Sequence, residues 1–265
     1  MHGNNQPVDT PPFPLNTTFN YNSLVIKVGS GRDKREVNIA KAIIEIIDKY
    51  VEAKRSAFEQ FIDTCKKIAA LSSTDPAGAI AFVEGQLQPN VDARVFEIVS
   101  FAILKAHYGE QSIFWGWTAE ELQQDVLMLY KTGRTNANDG GIDFVMKPLG
   151  RFFQVTETID VNKYFLDIDK VHRFPLTFVV KSTDSDEDVR AQLRAEAHRK
   201  YGVDAIVARY MEAVEEVINI PHLVEVFEGV VRTGKLQQVM DEIVLQSRVE
   251  FNVDEEDEDD SAGDA

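Results

Sequence analysis

The sequence predicts an α/β fold: a mixed sheet built around one hairpin, flanked by N-terminal and C-terminal helices. Three observations predict it. Apolar residues recur at helical spacing over most of 37–130 and again over 187–250. The period falls to two across 142–158, on either side of Pro148-Leu149-Gly150-Arg151. A third short β-rich run, LTFVVK at 176–181, follows a segment at 160–171 that reads as helix or turn.

The elements follow in order. The first twenty residues are polar and rich in proline, so 1–36 is expected to be an extended arm, with a strand or turn at 23–28 ending at Gly29 and Gly31. Ile39, Ile43, Ile46, Ile47, Tyr50 and Val51 begin a helical pattern that continues through Phe58, Phe61 and Ile62 toward Leu71. This is one long helix or two joined. Ser72-Ser73-Thr74-Asp75-Pro76 breaks it and starts a shorter helix at about 77–87. A third runs over 92–108, with Gly109 as its C-cap. Thr118-Ala119-Glu120-Glu121 reads as a capping box opening a helix to about Tyr130. The stretch 132–141 (TGRTNANDGG) is a loop by composition. Beyond the third strand, 187–250 reads as mostly helical, broken at Gly202, at Asn219-Ile220-Pro221 and at Gly234. The expected organisation is the arm (1–36), one domain over 37–250 with helical parts at 37–91 and 187–250, and a disordered tail at 251–265.

Composition narrows the function classes. The chain has 265 residues, 44 acids against 28 bases, a net charge of −16 and 44% apolar residues, enough for a real core. No run of eighteen apolar residues occurs, and the N-terminus lacks the apolar segment of a secretory signal, so a cytoplasmic location without a membrane span is expected. A single cysteine, Cys65, excludes a disulfide scaffold and a cysteine-based zinc site. Its apolar neighbours Phe61, Ile62 and Ile68 predict a packed thiol. The five histidines are scattered, with no metal-binding spacing, and Gly29-Ser30-Gly31 lacks the Lys-Ser/Thr of a phosphate-binding loop. Residues 254–265 hold eight carboxylates and no base; without them, 36 acids face 28 bases. The tail reads as a solvated end, or as an internal mimic of phosphates. An acidic body disfavours bulk, sequence-independent binding to nucleic acid but leaves a local groove or bound cations open.

The hairpin is where chemistry concentrates. A two-residue loop at Leu149-Gly150 would set Val145 opposite Gln154 and Asp143 opposite Thr156. Alternation then gives one apolar face, with Ile142, Phe144, Met146, Phe153 and Val155. The other face carries Asp143, Val145, Lys147, Phe152, Gln154 and Thr156. A loop longer or shorter by one would swap the second strand's faces. Asp143 follows Gly140-Gly141 and sits where a hard oxygen ligand could hold a divalent cation such as Mg²⁺. A turn-favouring Asp on a polar hairpin face accounts for it equally. Glu97 is the only charged residue in 95–104. A carboxylate on so apolar a helix needs a partner: Arg94, three residues away, or a metal shared with Asp143.

The stretch 132–158 (TGRTNANDGGIDFVMKPLGRFFQVTET) resembles the catalytic hairpin of the PD-(D/E)XK nuclease superfamily, in its Mrr-like and type II restriction-endonuclease branches. There a Gly-Gly-(Ile/Val)-Asp opens one strand and Gln-x-Lys or Glu-x-Lys lies on the next. The metal-ligating Asp corresponds to Asp143 and the Glu/Gln position to Gln154. The family's upstream helical Glu corresponds to Glu97 in Phe96-Glu97. The likeness covers 92–181, about a third of the chain. It implies a restriction-endonuclease-like core, a Mg²⁺-dependent, site-specific hydrolysis of double-stranded DNA, a homodimer that cuts both strands, and a prokaryotic cytoplasm. Asp143 and Glu97 would hold the metal, with Gln154 completing or orienting its shell.

The family lysine should fall at Thr156. In the family it orients or activates the attacking water and stabilises charge at phosphorus; a threonine hydroxyl is neutral. Three readings stay open. The lysine has moved, with Lys147 and Lys163 the nearest; Lys147 is four residues from Asp143, roughly 13 Å along a strand. Or Glu157 joins the site through a bulge and metals suffice. Or the domain is an inactive nuclease-like module that binds DNA or protein. A third class of function, interaction through the helical C-terminal part, also remains. Lys131 and Arg134, flanking the loop before Asp143, and Arg190 and Arg194, in a basic stretch with His198, Arg199 and Lys200, are the candidate DNA contacts. Acidic neighbours Glu187, Asp188 and Glu196 make an ordinary solvated helix the competing reading of that stretch. Trp115 and Trp117 are expected in the core or at a subunit contact.

Overall fold

A computed structural model describes residues 24–28, 34–133 and 142–251. The expected tail beyond Phe251, most of the arm and Arg134 lie outside them, and Phe251 itself ends a helix. The chain falls into two compact units, 1–59 and 60–265, so the boundary lies inside the first long helix. In the first unit β1 (Val25–Val28) pairs antiparallel with β2 (Arg35–Asn38), Val25 opposite Asn38. Helix α1 (Ala40–Leu71) is continuous, as one of the two readings allowed. Ile44, Ile46, Ile47, Tyr50 and Val51 are exposed along it.

In the second unit α2 (Pro76–Gly85) and α3 (Ala93–Tyr108) begin where the breaker residues place them. Asp75 accepts the Gly78 N–H and Asp92 the Arg94 N–H, satisfying donors at each helix start. The expected helix after Thr118 does not form. β3 (Ser112–Trp115) pairs antiparallel with β4 (Gln123–Val126), and β5 (Met128–Lys131) joins the main sheet. Leu129 is buried and its neighbours Met128 and Tyr130 are exposed, a period of two that the capping signal had masked. Trp117 is 92% exposed and Trp115 also reaches the surface, so neither belongs to the core.

The remaining elements are β6 (Phe144–Lys147), β7 (Arg151–Thr156), α4 (Val161–Lys170), β8 (Leu176–Val180), α5 (Asp186–Tyr201), α6 (Asp204–Ala213), β9 (Val214–Ile218), α7 (Ile220–Arg232) and α8 (Leu236–Phe251). The main sheet has the order β5-β6-β7-β8-β9. It is antiparallel from β5 to β7 and parallel from β7 to β9, hence mixed, as expected. The strand β9 inside the supposedly helical C-terminal part is a correction.

The hairpin register also differs. Phe144 faces Phe153 and Met146 faces Arg151, so the connection is two residues longer than expected. Gly150, at φ +68°, turns the chain in a conformation that disfavours a side chain, and its N–H donates to the Met146 carbonyl. A slip of two preserves the alternation, so the faces hold. Phe144 packs on Phe101 of α3 with ring centroids 5.1 Å apart, and Phe153 on Tyr108 at 6.2 Å. The opposite face meets α4, α5 and α6: Leu176, Phe178 and Val180 are buried against Tyr164, Phe165, Ile168, Val189, Leu193 and Val207. Among the described residues no helix is long and apolar enough to cross a membrane.

Candidate functional site

Four strands present one charged residue each at the same end of the sheet. β5 ends on Lys131, β6 is preceded by Asp143, β7 is followed by Glu157 and β8 by Lys181. Lys131 is the register partner of Phe144, and Thr156 that of Val180, which fixes the alignment. This is the carboxyl end of the parallel strands, the edge where open α/β sheets gather their ligands.

Asp143 is tied into the sheet. Its N–H donates to the Phe153 carbonyl at 2.9 Å, and its carboxylate Oδ2 accepts the Val155 N–H at 2.6 Å. The Asp143 carbonyl accepts from the Thr132 N–H at 3.0 Å. The site residue is thereby locked to both neighbouring strands. The ladder ends at Phe144–Phe153, two residues out of the expected register, and Asp143 donates to Phe153 beside it, so it does not lie opposite Thr156 as expected. Gln154 is buried. Its Nε2 donates to the Val155 carbonyl at 3.3 Å, and its Oε1 finds no hydrogen-bond partner among the described residues. Two more buried atoms share that condition, the Tyr164 hydroxyl and Asp167 Oδ2. Tyr164 stacks on Phe178, the register partner of Gln154, at 4.2 Å. Burial first, and then the nearby Asp167 carboxylate, push its phenol well above the usual range.

Glu97 is buried on α3, as its apolar surroundings predict, but its partner is not Arg94. Lys131 Nζ lies 2.8 Å from its Oε1 and 3.9 Å from Glu250 on α8. Arg94 instead approaches Asp92 at 3.8 Å. Lys131 is only 9% exposed, so it is enclosed between two carboxylates and is not a surface phosphate contact. It joins Glu97 to the strand residue next to Asp143. Thr156 is buried and donates its hydroxyl to the Thr158 carbonyl at 3.2 Å. Glu157 lies at the strand end and pairs with Lys181, whose ammonium also donates to the Val91 carbonyl at 2.6 Å, just before α3. Neither residue was a first choice from sequence. The available signal was a lysine closing a strand that is apolar but for Thr177.

Other candidates stand elsewhere. Lys163 is exposed on α4, whose buried side is Val161, Tyr164, Phe165 and Ile168. Lys147 lies at the far end of β6, its ammonium 5.0 Å from the Tyr130 ring centre. Arg190 is spent on structure: it bonds Asp186 at 2.7 Å and the carbonyls of Val214 and Glu215 at 2.8 and 3.2 Å. Arg194 is exposed and lines a shallow groove between α5 and α6 with His198 and Asp204.

No group of three His, Cys, Asp or Glu side chains is gathered as a metal-binding set among the described residues. The donors present are hard oxygens: the Asp143 carboxylate and, on the adjacent strand, the Oε1 of Gln154, which has no partner among the described residues. In kind they fit Mg²⁺. No family model, curated protein or solved structure matches this chain.

Proposed function

We propose that this chain is a Mg²⁺-dependent endonuclease of double-stranded DNA, of restriction type, acting at the end of the sheet that carries Asp143. The observation that supports it most is Asp143 bonded to Phe153 and Val155 of the neighbouring strand, on a hairpin inside a mixed sheet flanked by helices, with Oε1 of Gln154, between those two residues, buried and without a partner among the described residues. A buried carbonyl oxygen without a donor costs free energy, and a cation is one way to recover it. The same placement suits the restriction-endonuclease-like core that the hairpin motif implies.

Asp143 and Gln154 would hold the ion, and Glu97, on the α3 face, would act through Lys131, which it fixes on the strand next to β6. Magnesium bound there would polarise a phosphoryl oxygen and ease ionisation of the attacking water. Asp143 needs no rearrangement to stay in place, since two strands fix its backbone. The proposed partner is double-stranded DNA, and a homodimer would match a symmetric double-strand cut.

A second reading has its own observation. Thr156, at the lysine position, is buried with its hydroxyl already bonded, which suits a nuclease-like module that binds DNA without cutting. Incubation of full-length protein with genomic DNA in Mg²⁺ or EDTA separates the two. Discrete fragments that require Mg²⁺ and vanish in Asp143→Ala support the enzyme. Retention of particular fragments with no nicking in Mg²⁺, Mn²⁺ or Co²⁺ supports the module and ends the catalytic reading.

A further inference from the structure

We propose that the β3–β4 ribbon is a docking surface for a basic partner protein, one that sets apolar side chains among arginines or lysines. It goes beyond the nuclease reading and does not rest on it.

The ribbon leaves the body of the fold after α3. From Gln111 to Val126 no residue is buried. The chain returns at Leu127, whose N–H donates to the Gln111 carbonyl at 2.8 Å. A two-stranded ribbon with neither face covered is marginally stable in water. Register sets Phe114 opposite Gln124 and Ser112 opposite Val126, so Phe114 and Val126 share a face. Exposure keeps the same alternation through Met128 and Tyr130, with Leu127 and Leu129 buried between them.

The tip of the ribbon is closed by backbone. A Cβ at Gly116 would come within 2.6 Å of the Glu121 carbonyl oxygen, an approach that only glycine allows. The Glu121 N–H donates to the Thr118 carbonyl at 3.2 Å. Trp117 is displayed on this turn. Phe114 is 68% and Trp117 92% exposed, which presents roughly 300 Å² of aromatic surface. An exposed patch of that order is as large as most monomers carry and suits a contact site, with tryptophan as its anchor.

Charge names the partner. Residues 108–130 hold four acids and no base. Glu110 is paired with Lys235 at 2.9 Å. Glu120, Glu121 and Asp125 make no ion pair among the described residues. Acids around exposed aromatics repel the phosphates of nucleic acid and of anionic lipid, and a second copy of a chain at −16 meets the same repulsion. They attract lysine and arginine, to which the Trp117 ring adds a cation–π contact.

The test uses full-length protein. Trp115 and Trp117 are the two tryptophans of the chain, so intrinsic fluorescence reads the ribbon alone. The probe is a short synthetic peptide that alternates arginine with leucine, beside two controls with glutamate or glutamine in place of arginine. The expected result is a saturable blue shift with the arginine peptide, weakened by salt, at an affinity at least about tenfold above either control. Trp117→Ala, read through Trp115, and Glu120→Gln/Glu121→Gln should each lower that affinity about tenfold with melting unchanged. Binding to the acidic tail is common to all variants and leaves tryptophan emission where it is. No shift, equal responses to the three peptides, or wild-type affinity in both variants overturns the proposal. So does a comparable blue shift with phosphatidylglycerol vesicles, with duplex DNA, or with rising concentration of the protein alone.

Discussion

The Asp143 carboxylate accepts the Val155 N–H at 2.6 Å, so the residue proposed to hold the metal also fastens β6 to β7 where the strands part. Asp143→Asn keeps an acceptor for Val155, whereas Asp143→Ala leaves that N–H unpaired. Urea unfolding should show Asp143→Ala destabilised by about 1–3 kcal/mol and Asp143→Asn by distinctly less, with cleavage lost in both. Equal destabilisation would show that the bond to Val155 is not what the carboxylate contributes to the fold.

Lys131 is the cation against which the buried Glu97 is held, at 2.8 Å. Lys131→Met strands Glu97 without this counter-charge and should cost about 3–5 kcal/mol. Adding Glu97→Gln should return a large part of that loss, since the stranded charge goes with it. A double variant as unstable as Lys131→Met would mean that Glu97 does not depend on this lysine.

Cys65 is fully buried, and burial pushes its thiol up to about 12. The native thiol therefore stays protonated at pH 8 and should react with a disulfide reagent no faster than the protein unfolds. Between the ordinary thiol value and about 12 the folded chain binds the proton that the unfolded chain has lost, so this group lowers stability as pH rises through that window. Cys65→Ala should flatten the alkaline fall; an unchanged pH profile would assign the fall to other groups.

Trp117 stands almost wholly in solvent, so Trp117→Ala should leave the unfolding free energy of the isolated chain within about 0.5 kcal/mol. Phe96, buried at the start of α3, should cost about 3–5 kcal/mol when cut to alanine. A large effect at Trp117 would show that the β3–β4 ribbon is covered in the folded protein.

What the sequence revealed, and what it hid, follows from the range of the forces. The helices α1, α2 and α3 were legible because breakers and capping residues act within a few positions, as Asp75 and Asp92 show. The faces of the hairpin were legible because an apolar set packs on α3 whatever the loop length, provided parity holds. The register was not, because Gly150 turns a longer connection that only the fold selects. Thr118 misled because a capping signal is local, whereas Leu129 answers to the sheet beside it. β9 was hidden between two helices, its burial set by β8. At the site, the need of Glu97 for a partner was legible; its identity, Lys131, was 34 residues away. Lys181 was missed because nothing local connects 157 with 181.

The most direct measurement is Mn²⁺ uptake, followed by the electron paramagnetic resonance of the free ion, in wild type and in Asp143→Asn. Both variants carry the same acidic tail, so its weak binding cancels. The account predicts a tight component in wild type, strengthened by DNA, that Asp143→Asn lacks. Identical titration curves for the two proteins, with and without DNA, would contradict it.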